Sequence, residues 1–153
     1  MRAKPARPAK VFKPHLNAKK LRQDALTLVR TIVDLNIEAS LKRRMLNYCL
    51  WTLTESEGTS KYRTKYMTQG AMDESQPGLH HDHVFTRKQL IEDMLREPAR
   101  AVEIAETAVG CTVTRFEHKE LTYHDRVQPE LTGWDRYRAI GIVVINTETG
   151  EPI

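Results

Sequence analysis

Three histidines and one aspartate within four consecutive positions are the residues of this chain best suited to chemistry. They are His80, His81, Asp82 and His83, and the whole chain has six histidines. Imidazole nitrogens and carboxylate oxygens bind divalent metal ions, and histidine titrates near neutral pH, where a general base works best. The sequence therefore predicts a site for metal binding or proton transfer at this cluster.

His118 is the candidate partner of the cluster. Residues 111–113 have the apolar content of a short strand, and Thr114 with Glu117 three residues later forms a capping-box pattern that starts a helix. His118 then lies in the first turn of that helix, where a side chain projects back toward the preceding strand. We expect its imidazole to approach the histidine cluster.

The elements that must position these residues follow from local patterns. Residues 79–85 have the content of a short strand, and Thr86 begins a helix with a second capping-box pattern. That helix ends before a proline, and a further helix over residues 99–109 is followed by Gly110 in the position of a C-terminal cap. The sequence predicts two strands separated by a helical insertion, and then a helix.

The segment Asp82-His83-Val84-Phe85-Thr86-Arg87 resembles the first motif of the HNH nucleases, the ββα-metal superfamily. That motif is commonly an Asp-His or His-His pair followed by hydrophobic residues and often a basic one, and the last motif is a histidine early in a helix. The resemblance covers residues 79–123. It implies a metal-dependent DNA endonuclease that hydrolyses phosphodiester bonds, with Asp82 and His118 as metal ligands and His83 as the general base that activates water. It also implies a divalent metal ion, Mg²⁺ or Mn²⁺, with Zn²⁺ as a further candidate.

Two features of the chain depart from the family pattern. The asparagine that usually orients the base at the start of the second strand is absent, since Gly110, Cys111 and Thr112 stand there. Neighbouring residues of a strand also point to opposite faces, so Asp82 and His83 share a site only at a strand end or a distortion. The alternative functions are a noncatalytic nucleic-acid-binding protein on a degenerate HNH-like scaffold and a regulatory protein-interaction module. A structural zinc site is a further alternative, with the ligands His81, His83, Cys111 and His118.

The basic residues predict a nucleic-acid partner, DNA in particular. Residues 1–20 carry seven lysines and arginines and no acid, so in a chain of net charge +4 the other 133 residues carry −3. With three prolines, residues 1–19 are expected to be a disordered basic arm that contacts phosphates. Residues 61–66 alternate basic residues with tyrosines and threonine, as an extended segment with one cationic face would. The candidate nucleic-acid-binding residues of the body are Lys61, Arg63, Lys65, Arg87 and Lys88.

The rest of the chain supplies architecture. Apolar residues at three-and-four spacing predict helices over residues 20–35 and 38–57, which form a hairpin within residues 20–58. Residues 133–153 are expected to form a short helix and a strand over residues 142–145, with Tyr137 anchored in the core and Arg136 solvated. Asp125, at the end of the helix that carries His118, is also expected to be solvated. The predicted fold class is α+β, with a single domain over residues 20–153 that combines the N-terminal helical hairpin with the HNH-like ββα element.

Composition excludes several classes of protein. The content of 40% hydrophobic and 29% charged residues is that of a globular domain, and two cysteines are too few for a disulfide scaffold. We find no apolar run of membrane-spanning length and no signal peptide, so a cytoplasmic protein with no membrane partner is expected. Phosphate-binding loops, Rossmann glycine patterns and nucleophile elbows are also absent from the sequence.

Overall fold

The fold combines an N-terminal helical layer with a four-stranded mixed sheet, which confirms the predicted α+β class. The computed structural model describes residues 12–55, 58, 61–73 and 78–153. Within these ranges no helix is both long and apolar enough to cross a membrane. The helices are α1 Ala18–Asp34, α2 Ala39–Glu55, α3 Gln69–Met72, α4 Arg87–Arg96, α5 Ala101–Glu106, α6 Arg115–Val127 and α7 Trp134–Ala139, and the strands are β1 Tyr66–Thr68, β2 Leu79–His83, β3 Gly110–Thr114 and β4 Val144–Asn146.

The predicted helical hairpin is confirmed as α1 and α2, within two residues of the expected ends. The apolar stripe of α1 is mostly buried, with Val29 and Ile32 at 2% exposure or less, whereas Leu28 is 47% exposed. It packs with Leu46 and Leu50 of α2 in one core cluster, which α4 and α5 complete with residues such as Met94. Burial of each such side chain stabilises the fold by roughly 1.5 to 3 kcal/mol. The helical insertion between β2 and β3 is therefore part of the hairpin's core.

The sheet has the strand order β2-β3-β1-β4. Strands β2 and β3 are antiparallel, with Asp82 opposite Cys111, while β1 lies parallel to β3 and antiparallel to β4. A second core cluster lies between the sheet and the helices α6 and α7, and it includes Val113, Leu121 and Tyr137. The sheet thus brings the predicted strand, strand, helix unit together as β2, β3 and α6.

Three local predictions are wrong. Gly110 does not cap a helix: it begins β3, opposite His83, and the preceding helix ends earlier, at Glu106. Residues 61–66 are not one extended segment, because Lys61 lies in a turn and the strand begins only at Tyr66. The last strand starts two residues later than expected and is three residues long. In each case sheet pairing sets the strand limits, and pairing is not visible in the local pattern.

The expected basic arm lies only partly within the described residues, because residues 1–11 fall outside them. From Phe12 onward the chain is described, and Pro14 pairs with Gly58 in an isolated bridge. Helix α1 then begins at Ala18. The sequence predicted that the folded domain starts at residue 20, whereas the first helix begins two residues earlier and a bridge at Pro14 precedes it.

Candidate functional site

Helix α6 holds His118 over strand β2, as the sequence predicted. The helix begins with a complete capping box, in which Thr114 Oγ1 accepts a hydrogen bond from the Glu117 amide at 3.1 Å and Glu117 Oε2 accepts one from the Thr114 amide at 2.8 Å. Because Thr114 is also the last residue of β3, the helix direction is fixed by the sheet. His118 Nε2 lies 4.0 Å from Asp82 Oδ1. The structure thus brings the two predicted metal ligands together.

The carboxylate of Asp82 is already held by two side chains of α7. Asp82 is 7% exposed, and its Oδ2 accepts hydrogen bonds from the Tyr137 hydroxyl at 2.5 Å and from Arg136 Nη1 at 3.2 Å. Burial raises the pKa of Tyr137 well above its usual value, so its hydroxyl keeps the proton that it donates. The aspartate is therefore a partner in a buried polar network.

Arg136 is the centre of that network, and the expectation that it is solvated is wrong. The residue is 3% exposed. Its Nε and Nη2 donate to Asp125 at 2.7 and 2.8 Å, so Asp125 is not a solvated helix end either. Its Nη1 also donates to the backbone carbonyls of His83 and Val84, at 3.0 and 2.8 Å. One guanidinium therefore ties the end of β2 to α6 and α7, which only a buried arginine with its fixed donor fork can do.

His83, the predicted general base, lies on the opposite face of β2. Its ring packs edge-on against Trp51 of α2 at 4.5 Å between centroids, and against His81 at 5.2 Å. It is 7% exposed, and neither ring nitrogen has a hydrogen-bond partner within the described part of the chain. Burial, with the charges of His81, Arg87 and Arg136, lowers its pKa to about 3. The structure does not bring His83 together with Asp82 and His118.

His81 shares that face and has a structural role. Its Nδ1 lies 2.7 Å from the carbonyl oxygen of Lys61, and its Nε2 lies 3.1 Å from Thr54 Oγ1. Its ring also packs directly on Gly110, where a Cβ atom would come within 2.5 Å of His81 Cε1. A side chain at position 110 would clash with this buried ring, so Gly110 serves a close approach between β2 and β3.

His80 belongs to the predicted cluster, but the resemblance to HNH nucleases gave it no role. Its ring stacks on that of His118, with centroids 4.8 Å apart and planes inclined by 18°. Burial, then the nearby charges of His118, Arg115 and Lys61, lower the pKa of His80. Strand alternation was the available signal, because His80 and Asp82 are two residues apart and share a face. His80 and Asp82 therefore lie on the face of β2 toward α6, where both are close to His118.

These residues fit a divalent metal ion poorly. Among the described residues, no group of three or more histidine, cysteine, aspartate and glutamate side chains is placed to hold a metal ion. Asp82 and His118 supply two donors, but the guanidinium of Arg136 sits 3.2 Å from the carboxylate and opposes a second cation there. The alternative zinc site is also divided, because His81 and His83 pack against Trp51 of α2 whereas His118 lies against His80 and Asp82 on the other face of β2. Cys111 is fully buried, and burial raises the pKa of its thiol. A zinc ligand would have to be the thiolate.

The predicted nucleic-acid-binding residues occupy different places. Lys65 pairs with Glu148 at 3.0 Å, Lys61 lies over the ring of Tyr62, and Arg63 is exposed. Arg87 and Lys88 begin helix α4. The structure therefore does not unite all five in one surface.

Comparison of the chain with family models, with curated proteins and with solved structures gives no match. The function of this chain is therefore inferred from the geometry and charge of its described residues. They include both faces of strand β2, the one with His80 and Asp82 and the one with His81 and His83.

Proposed function

We propose that this protein binds nucleic acid on an HNH-like ββα scaffold that does not hydrolyse it. The observation that carries this proposal is the separation of the three expected catalytic residues. Asp82 is bonded to Arg136 and Tyr137 on one face of β2, while His83 is buried against Trp51 on the other. In metal-dependent hydrolysis the general base must contact the water that is bound to the metal, so base and metal ligands must lie on the same side of the strand.

The protonation properties of His83 support the same conclusion. A general base works best with a pKa near the operating pH, and a pKa of about 3 makes His83 a weak base at pH 7. Its two ring nitrogens are also enclosed, so substrate water has no direct access to them. Binding to nucleic acid requires neither property, because phosphate contacts depend on lysines, arginines and backbone amides.

Charge supports nucleic acid as the partner. Residues 1–20 hold seven of the 24 lysines and arginines without any acidic residue. Each lysine or arginine that contacts a phosphate releases a condensed counterion, and this release favours binding of such a segment to a nucleic acid. The body adds cations at the start of α4, where Arg87 and Lys88 are placed without an acidic residue in the first turn.

Metal-dependent hydrolysis is the second candidate function, and one distance favours it. Asp82 Oδ1 and His118 Nε2 are 4.0 Å apart, close enough for both to contact one ion after a small movement. His80 beside them is only partly buried, and it shares their face. Loss of activity on replacement of His118 would be the signature of this candidate.

The first prediction separates binding from cleavage. The full chain should shift a fluorescein-labelled DNA duplex in an anisotropy titration, with an affinity that falls steeply as salt rises. With Mg²⁺, Mn²⁺ or Zn²⁺ present, a supercoiled plasmid should remain unnicked over hours, because the expected base and ligands lie on different faces. Nicking that a chelator stops, and that His118→Ala abolishes, would establish the second candidate instead.

The second prediction concerns the basic arm. Deletion of residues 1–11 removes four cations, Arg2, Lys4, Arg7 and Lys10. If half of them meet phosphates, the slope of log affinity against log salt should become shallower by about 2, equally for unrelated DNA sequences. A matched control replaces the same four residues with glutamine and should behave like the deletion. An unchanged slope in both proteins would mean that the arm makes no phosphate contact.

A further inference from the structure

A basic groove runs between helices α2 and α4, on the side of the protein that carries Trp51. Its volume is about 380 Å³. One wall comes from α2 and the other from the first turns of α4, and Ile91 contributes its one aliphatic side chain. The lining residues are Arg43, Arg44, Asn47, Arg87, Lys88, Ile91 and Glu92. Four of these seven are cations and one is an acid.

Among the described residues, one of the four cations has a carboxylate at ion-pairing distance, and Lys88 is within electrostatic reach of the same carboxylate, that of Glu92. Arg43 is paired with Glu92, with Nε 2.7 Å from Oε1 and Nη2 3.2 Å from Oε2. Within the described ranges no carboxylate lies at ion-pairing distance from Arg44, Arg87 or Lys88. Other exposed arginines are of two kinds: Arg96, Arg100 and Arg138 pair with carboxylates of their own segments, whereas Arg30 and Arg126 have no carboxylate at ion-pairing distance among the described residues. The groove is distinguished because three unpaired cations, Arg44, Arg87 and Lys88, line one surface.

Arg87 is held in place before any ligand arrives. Its guanidinium lies 4.7 Å from the centroid of the Trp51 ring, and its Nη1 donates to Asn47 Oδ1 at 2.5 Å. Trp51 is in turn packed against the buried ring of His83. A guanidinium fixed by stacking and one hydrogen bond retains other donors for a ligand, and it loses little conformational entropy on binding.

The two cations at the N-terminus of α4 destabilise the helix when no anion is bound. Thr86 caps α4, and the next two residues are Arg87 and Lys88, with no acid in the first turn. The N-terminus of a helix carries a partial positive charge, so cations there are destabilising and an anion is stabilising. Arg44 on the facing helix adds a third like charge across the groove. A bound anion would relieve this repulsion, whereas an empty groove leaves it in place.

From this arrangement we infer that the α2–α4 groove binds a backbone phosphate of nucleic acid, with Arg87 as the fixed contact and Arg44 and Lys88 closing around it from the two walls. The inference rests on the proposed function and specifies where the body of the protein holds its partner. Lysine and arginine contacts of this kind position a duplex and read no sequence. The groove is separate from Asp82 and His118, which lie on the other face of β2.

The test is an anisotropy titration of a fluorescein-labelled 20-base-pair duplex with full-length chains. The groove variant is Arg44→Gln with Lys88→Gln, and the control is Arg30→Gln with Arg126→Gln, which removes the same charge from exposed positions on α1 and α6. All four side chains are exposed, so each variant should melt within a few degrees of the parent. We expect the groove variant to bind at least about ten-fold more weakly at low salt, with a salt slope shallower by about 2, and the control to change by less than about three-fold.

A third variant, Arg87→Lys, keeps the charge and removes the planar fork, and it should lose part of the affinity while the salt slope stays that of the parent. Inorganic phosphate should weaken duplex binding by the parent more than chloride does at equal ionic strength. It should have no such additional effect on the groove variant. A parent that binds no duplex would overturn the proposed function together with this inference. A parent that binds and a groove variant that matches the control would overturn the inference alone and leave binding to the arm.

Discussion

Replacement of Arg136 by methionine should lower the free energy of unfolding by about 3 to 5 kcal/mol, the effect expected when one partner of a buried charge pair is removed. The guanidinium is 3% exposed and donates to Asp82, Asp125 and the carbonyls of His83 and Val84. Methionine fills a similar volume but offers no donor. The substitution therefore removes one hydrogen-bond donor from the buried carboxylate of Asp82 and the side-chain donor of the His83 and Val84 carbonyls.

The measurement is urea unfolding at pH 7, followed by circular dichroism, with the midpoint and slope compared between chains. Arg138→Met is the matched control, because Arg138 lies on the same helix, is exposed, and pairs only with Asp135 three residues before it. Such surface pairs contribute between 0 and about 1 kcal/mol. If Arg136→Met and Arg138→Met destabilised the fold equally, the network around Asp82 would have no structural importance, and Asp82 would again be available as a metal ligand.

Acidification should destabilise the parent through His83, and a leucine at that position should remove the effect. In the folded chain burial lowers the pKa of His83 to about 3, from an ordinary value of 6.5. Between these values the unfolded chain binds a proton that the folded chain does not, so stability is full above pH 6.5 and falls as the pH drops toward 3. One such histidine changes the free energy of unfolding by about 1.4 kcal/mol per pH unit.

Comparison of parent and His83→Leu at pH 7 and pH 4.5 isolates this contribution. The stability difference between the two chains should move by about 3 kcal/mol in favour of the variant at the lower pH, since carboxylate titration is common to both and cancels. His81 is buried with its pKa also lowered, so the variant should retain some acid sensitivity. The control His15→Leu changes an exposed histidine and should follow the parent. Parallel curves for parent and His83→Leu would mean that His83 is readily protonated in the folded state and accessible to water.

Local rules determined much of the architecture from the sequence. Thr86 and Thr114 cap the helices that their patterns predicted, and the capping box at Thr114 has both of its hydrogen bonds. The apolar spacing in α1 and α2 predicted the hairpin because a helix must bury a stripe of period 3.6. These signals depend only on residues within a few positions of each other. They also placed His118 correctly, since its position in α6 follows from the cap.

Tertiary structure decided which residues of the cluster act together. The histidines and aspartate of β2 are adjacent in sequence, but strand geometry sends His80 and Asp82 to α6, and His81 and His83 to α2. The partners of Asp82 lie 54 and 55 positions away in the chain, in α7. No local pattern indicates that an arginine in a six-residue helix will be buried, because its burial depends on four acceptor groups from other elements.

The charged surface divides in the same way. The sequence alone determined that the first 20 residues carry the chain's excess positive charge and that Arg87 and Lys88 start a helix. It did not indicate that Arg43 and Arg44 of α2 face them, because the packing of α2 against α4 depends on apolar residues of both helices, such as Leu46, Leu50 and Met94. Capping and periodicity act over a few residues and can be read along the chain, whereas a groove or a buried ion pair depends on which surfaces meet when the cores close.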